Sequence, residues 1–197
     1  MTTTQNNRLI YLMGPSGAGK DTLLSALRQD AAARARNLLI AHRYITRPPA
    51  ADDCEQHVFL YEQEFERRRQ RGLFALDWHA HGHAYAAGME LDLWMDKGFS
   101  VILNGSRQHL PTARQKYAGR LIPVCLTVSA ATLAKRLIAR GRENAREIEA
   151  RLFRAQIHQE HLPPDCHTLD NEGGIQDTAR RFLSLIEKHE GVPSHPS

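Results

Sequence analysis

Leu9-Ile10-Tyr11-Leu12-Met13-Gly14-Pro15-Ser16-Gly17-Ala18-Gly19-Lys20-Asp21-Thr22-Leu23-Leu24 decides the fold of this chain. Five apolar residues read as a buried strand, a glycine-rich turn follows, and apolar residues take helical spacing from Thr22 onward. A strand, a Gly-x4-Gly-Lys turn and a helix, in that order, make a phosphate-binding P-loop. Its glycines let successive backbone N–H groups curl around phosphate oxygens, with the positive end of the helix dipole behind them. Gly14, Pro15, Ser16, Gly17, Ala18, Gly19 and Lys20 are therefore the candidate cradle for the phosphates of ATP, followed by Asp21 and Thr22. Lys20 is expected to reach the β- and γ-phosphates. The bland alternative is an ordinary glycine-rich βα turn.

The position after the lysine usually carries Ser or Thr, whose hydroxyl binds Mg²⁺. Here it is Asp21, with Thr22 next. A carboxylate is a hard oxygen ligand, so Asp21 is the candidate metal residue, acting directly or through water. The competing reading is an acidic residue that favours the helix N-terminus and touches no metal.

Working outward, 197 residues with 42% hydrophobic content are enough for one α/β domain with a small inserted lobe. No apolar run is long enough to span a bilayer, and the polar start, Met1 to Asn7, lacks the apolar region of a secretory signal. Cys54, Cys125 and Cys166 give no disulfide framework, so a reduced, cytoplasmic setting is expected. The net charge is +4, carried by 21 arginines against five lysines. Arginine's planar fork suits phosphate oxygens, although arginine-rich codon usage produces the same bias. No basic stripe is interleaved with aromatics, so nucleic acid is not an expected partner.

Further strands are predicted at 38–42, 99–103, 121–127 and 167–171, with helices at 22–34, 130–140, 145–161 and 175–189. Pro111 is expected to interrupt a helix over 108–117. Ser129 is the expected cap of the helix at 130, and Asn144 with Glu147 forms a capping-box pattern. Between about 43 and 90 short strands interrupt the alternation, which suggests an inserted substrate lobe. Arg43 and Arg47, four apart beyond a strand end, can clamp an anion or simply be solvated. His79, His81 and His83 alternate on one strand face, so zinc must be weighed, but Gly82 breaks the strand and no cysteine has ligand spacing with them. Asn104 ends the third core strand where P-loop proteins often place an Asp near Mg²⁺. Arg136, Arg140, Arg142, Arg146, Arg151 and Arg154 crowd two helices of the sort that close over ATP, although some must face solvent.

The P-loop, Thr46-Arg47-Pro48-Pro49 and Arg136-Leu137-x-x-Arg140-Gly141 resemble the guanylate kinase superfamily over nearly the whole chain. Gly19-Lys20-Asp21, His42-Arg43-Tyr44-Ile45-Thr46-Arg47, Asn104-Gly105-Ser106-Arg107 and Arg140-Gly141-Arg142-Glu143-Asn144 resemble more closely one branch, the ribose 1,5-bisphosphate phosphokinases. The resemblance implies an α/β, three-layer P-loop kinase with a parallel central sheet. Residues 8–42 and 99–190 would form its core, 43–90 an inserted substrate lobe and 136–151 a helical lid. The implied activity is ATP-dependent phosphorylation of ribose 1,5-bisphosphate to 5-phospho-α-D-ribose 1-diphosphate (PRPP), in phosphonate breakdown, with Mg²⁺. A homodimer is compatible with it, and no membrane is involved.

Departures from guanylate kinase separate the branches. That family binds GMP phosphate with Thr-Thr-Arg-x-x-Arg and a nearby Tyr; here Thr46-Arg47 is kept, but Ala50 takes the second arginine's place and His57 lies near the tyrosine's. Its guanine-binding Glu and Asp become Asp77 and Asn104, and its Tyr-Gly-Ser/Thr becomes Tyr85-Ala86-Ala87. A phosphorylated sugar has less need of those acceptors. Lys20, Arg136, Arg140 and Arg151 are thus the expected catalytic charges, and Arg43, Arg47, Asp77, Tyr85, Asn104 and Arg107 the substrate side. The alternatives are a guanylate or other nucleoside monophosphate kinase, and a catalytically dead guanylate-kinase-like binding module.

Overall fold

A computed structural model of the chain describes residues 7–49, 57–141 and 144–190. Cys54, Ala50, Arg142 and Glu143, the two terminal tails and the side chain of Arg140 lie outside the described residues. The elements run β1 (Leu9–Met13), α1 (Lys20–Gln29), α2 (Ala31–Arg34), β2 (Leu38–Ile40), β3 (Arg43–Ile45), β4 (Val58–Phe59), α3 (Glu62–Gln70), β5 (Phe74–Ala80), β6 (His83–Gly88) and α4 (Glu90–Asp96). They continue as β7 (Ser100–Asn104), α5 (Leu110–Tyr117), β8 (Leu121–Thr127), α6 (Ala130–Arg140), α7 (Ala145–Glu160), β9 (His167–Asp170) and α8 (Ile175–Glu190).

Five strands form a parallel sheet in the order β2-β7-β1-β8-β9. β1 sits at its centre and is buried at every position, which explains its unbroken apolar run: a parallel strand covered on both faces has no polar side to show. Ile10 and Leu12 pack with Leu23, Leu27, Leu133, Phe182 and Ile186, so α1, α6 and α8 cover one face. Leu9, Tyr11 and Met13 pack with Leu91, Met95 and Leu110, so α4 and α5 cover the other. This is the three-layer α/β P-loop kinase fold that the resemblance implied. Among the described residues no helix is long and apolar enough to cross a membrane.

A second sheet, in the order β4-β3-β6-β5, is built from residues 43–88 and stands where the inserted lobe was expected. Ile45, Leu76, Trp78, Tyr85 and Ala87 join the core cluster beneath α4 and α5. Its other side meets α3 through Leu60, Phe65, Ala84 and Ala86. His81 and Gly82, both with positive φ, make the two-residue turn between β5 and β6. His79, His81 and His83 form no metal-binding group; no cluster of three potential ligands occurs among the described residues.

Local expectations met and missed have physical reasons. The single helix expected over 22–34 is two: Asp30 turns extended and its carboxylate accepts from Ala33 N at 3.0 Å, capping α2. Pro111 does not interrupt its helix. It lies in the first turn of α5, where its missing N–H costs nothing. Arg43, placed beyond a strand end by the sequence reading, lies on β3 itself. Ser129 caps α6, and the Asn144–Glu147 capping box opens α7.

Candidate active site

The P-loop leaves β1 at the carboxyl end of the sheet, where open α/β sheets bind ligands. Its first glycine is required by close approach: a Cβ at Gly14 would lie 2.6 Å from the Leu126 carbonyl oxygen of β8. Gly19 is left-handed, at φ 94°, and caps α1 without a side-chain hydrogen bond. The first N–H groups of α1 are therefore not taken up by a cap side chain. Lys20 Nζ donates to the carbonyls of Gly14 at 2.7 Å and Pro15 at 3.1 Å, so the ammonium lies across the loop it follows.

Three side chains remote in sequence hold the loop in shape. Asn171, 2% exposed at the exit of β9, donates through Nδ2 to Ala18 O at 2.7 Å and accepts from Thr178 Oγ1 at 2.9 Å. Arg136 donates to the same Ala18 carbonyl at 3.2 Å and to Asn171 O at 2.7 Å. Its guanidinium therefore grips the loop backbone, in addition to any phosphate role. Arg151, one face of α7 away, donates to Ser16 Oγ at 2.9 Å. α7 is packed on the core through Ile148, Leu152 and Ala155. Two of the expected lid arginines thus converge on the P-loop; Asn171 was not anticipated, and only its place after a strand could have marked it.

Asn104 closes the other side of α1. Its Nδ2 donates to Asp21 Oδ1 at 3.0 Å, so the two residues singled out as departures from the common P-loop pattern are partners. Asn104 is 4% exposed and its Oδ1 has no hydrogen-bond partner among the described residues. A buried, unpartnered amide oxygen beside a carboxylate is a hard-oxygen donor set that fits a divalent cation such as Mg²⁺.

The segment after Asn104 is shaped by Tyr11. Its buried hydroxyl lies 3.0 Å from both the N–H and the carbonyl oxygen of Ser106, and its ring leaves room only for a glycine at 105. Burial pushes the Tyr11 hydroxyl well above its ordinary titration, so it stays protonated; the Arg43 charge opposes this in part. Arg107 follows and donates to the His161 carbonyl at the end of α7. Beneath it, Cys125 takes a hydrogen bond from Cys166 and feels the charges of Lys20 and Arg107, which hold its thiol below the ordinary range despite burial. Both cysteines are free thiols.

On the second sheet, Arg43 lies over the Tyr85 ring, 5.3 Å from its centroid. Tyr85 in turn stacks on Trp78, and Trp78 on His109. Arg47 is half-buried, its carbonyl 3.1 Å from His57 Nε2, and Thr46 Oγ1 accepts from Ala84 N. Asp77 is opposite Ala86 in the β5–β6 register and interacts electrostatically with His109 and with Arg69 of α3. Ala86 and Ala87 are fully buried, with no hydroxyl to offer a base. Trp78 and His109 were not singled out by the sequence reading.

Comparison with known proteins agrees with this geometry. The family model described as AAA domain matches residues 10–157. The chain is 55% identical, over 91% of its length and 91% of the relative's, to the ribose 1,5-bisphosphate phosphokinase PhnN of Yersinia pestis. It is 50% identical, over 95% of its length and 98% of the relative's, to the protein of that name in Pectobacterium atrosepticum, and 48% identical to that in Desulfomicrobium baculatum over 91% and 94%. Guanylate kinase from Anaplasma phagocytophilum shares the fold, with a TM-score of 0.72 at 19% identity over 94% of this chain and 87% of that one. A P-loop chain that matches these phosphokinases nearly end to end, at about half its positions, belongs to the ribose 1,5-bisphosphate phosphokinase family, within the AAA-domain P-loop proteins.

Proposed function

We propose that this chain transfers the γ-phosphoryl group of ATP to the 1-phosphate of ribose 1,5-bisphosphate, giving 5-phospho-α-D-ribose 1-diphosphate and ADP. The observation that carries this reading beyond the relatives' names is the makeup of the acceptor side. Arginines and an amide stand there, with fully buried alanines at 86 and 87 where a purine-reading site needs hydrogen-bonding groups.

A phosphate monoester has a second pKa of about 6, so an oxygen of the 1-phosphate is anionic at neutral pH. It attacks the γ-phosphorus, the bond to the β,γ-bridging oxygen breaks, and ADP leaves with that electron pair. No general base is needed, and none is assigned. Lys20 and Arg151 supply positive charge where negative charge spreads over the transferred group. Arg136 keeps the loop N–H groups aimed by holding the Ala18 carbonyl. Arg43, Arg47 and Arg107 hold the acceptor's phosphates, with Tyr85 beneath Arg43. Asp77 and Asn104 line the sugar side. Replacement of a carboxylate by Asn104 also removes a negative charge from beside an anionic acceptor.

Asp21 and Asn104 Oδ1 are the residues that would hold Mg²⁺, which neutralises charge on the β- and γ-phosphates when bound. Asp21→Asn tests this. An amide oxygen still accepts from Asn104 Nδ2, so the local fold is kept while the charge is lost. The apparent Mg²⁺ requirement should rise, and high Mg²⁺ should restore part of the activity. A magnesium titration that overlays the wild-type curve returns Asp21 to a helix-terminal role, worth about 0.3–1 kcal/mol. The acceptor itself is tested by coupled assay of ADP release with ribose 1,5-bisphosphate against GMP. Faster turnover of GMP would favour a guanylate kinase instead.

A further inference from the structure

Four planar groups from four separate segments stand in one column. Arg43 of β3 caps Tyr85 of β6 at 5.3 Å from the ring centroid. Tyr85 and Trp78 of β5 are stacked at 5.8 Å with their planes 7° apart. Trp78 and His109 are stacked at 5.4 Å and 24°. The first three groups belong to the second sheet. His109 does not: it ends the turn Arg107–His109 that follows β7 of the central sheet. The column is thus a point where the lobe is registered against the core, next to two of the arginines assigned to the acceptor.

His109 contributes by its face. Its Nε2 is buried without a hydrogen-bond partner among the described residues, so among them no bond from that atom fixes the ring. Burial lowers its titration below the ordinary value, partly opposed by Asp77, so the ring is neutral at neutral pH. A neutral ring under Trp78 adds no repulsion to the guanidinium at the far end of the column. Trp78 and Tyr85 are 7% and 6% exposed and have no other aromatic neighbour among the described residues to fix their tilt. Arg43 in turn follows the plane of Tyr85, because the cation is attracted to the ring face.

We propose that His109 is a positioning residue for the acceptor: it seats the Trp78–Tyr85 stack, and the stack aims Arg43 at a phosphate of the sugar bisphosphate. This rests on the reading of Arg43 as an acceptor-phosphate ligand. It separates His109 from Arg107, two residues earlier in the same turn, which acts through its own charge.

The test is steady-state kinetics of the full chain with ATP and ribose 1,5-bisphosphate, for His109→Ala, His109→Phe, Arg43→Ala and the Arg43→Ala/His109→Ala pair. His109→Ala should raise the acceptor KM about tenfold, as expected for a lost ring contact that misaims a charged group, and leave the ATP KM within about twofold. His109→Phe keeps a stacking face and should stay within about twofold of wild type. In the Arg43→Ala background, His109→Ala should add less than about twofold, since both changes remove one interaction. The proposal is overturned if His109→Phe is as impaired as His109→Ala, if the two changes multiply, or if both KM values rise together. Should His109→Ala fail to fold, His109→Gln fills the space without a stacking face and takes its place in the same comparison. A wild-type chain that does not turn over ribose 1,5-bisphosphate overturns the functional reading, and this proposal with it. A wild-type chain that does, beside an unchanged His109→Ala, overturns the role of His109 alone.

Discussion

Lys20 shares one ammonium between two carbonyls of its own loop, and a phosphate can take their place in its donor set. Lys20→Ala should therefore lower turnover about a hundredfold or more, on the scale of lost transition-state charge stabilisation, and cost only a few degrees of melting temperature. Turnover within about threefold of wild type would remove the P-loop from the mechanism. Asn171 behaves differently, because both ends of its amide are engaged in a buried setting. Asn171→Ala strips an acceptor from Thr178 and a donor from Ala18 O, at a cost of about 1–3 kcal/mol, measurable by urea unfolding. Asn171→Asp should be worse than alanine for ATP binding, since it sets a carboxylate oxygen against the Ala18 carbonyl. If alanine and aspartate variants bind ATP equally, the amide does not shape the loop.

Among the elements, α7 links stability to the site most directly. Its capping box satisfies the backbone N–H groups of Asn144 and Glu147, at 2.9 and 3.1 Å respectively, and Arg151 two turns on reaches Ser16. Asn144→Ala should cost about 1 kcal/mol, concentrated in the first turn of α7 and visible as faster amide exchange there. The ATP KM should rise a few-fold while the acceptor KM stays constant; an equal rise in both would mean that α7 supports the whole cleft. Elements of this kind were legible in the sequence because their signals are local. Ser129, the Asn144–Glu147 pair and the unbroken apolar run of β1 each announce a cap or a strand within a few residues. The break at Asp30 was hidden because Leu27-Arg28-Gln29 before it and Ala31-Ala32-Ala33 after it all propagate helix well, and the cap depends on one carboxylate turning back.

At the scale of the whole molecule, two buried or half-buried imidazoles set an acid limit. Burial lowers the titration of His109 and of His189, the latter helped by the charges of His167 and Arg8. The folded state then binds fewer protons than the unfolded one, so stability held above the ordinary value of 6.5 is lost as pH falls below it. His189→Gln should reduce that loss: its melting temperature, taken relative to wild type, should improve below pH 6.5 and not above. A pH-independent difference would assign the acid limit to other groups. The site was legible only where its residues share a motif. Gly14 to Asp21, Asn104 and the arginines could be singled out from their places beside strands and helices, and resemblance then gave them expected roles. Asn171, Trp78 and His109 could not, because what they do is set by partners on other elements, and no local pattern marks a stacking face or a distant amide.

Such distance has a consequence for the chain's synthesis. Ala18 and Asn171 are 153 positions apart, yet the carbonyl of one is fixed by the amide of the other. A growing polypeptide emerging from the ribosome carries its nucleotide motif long before Asn171 is made, and cannot give it its final form until then. Chains stalled or truncated before Asn171 should display the motif and still ignore ATP, so such fragments would not draw on the nucleotide pool.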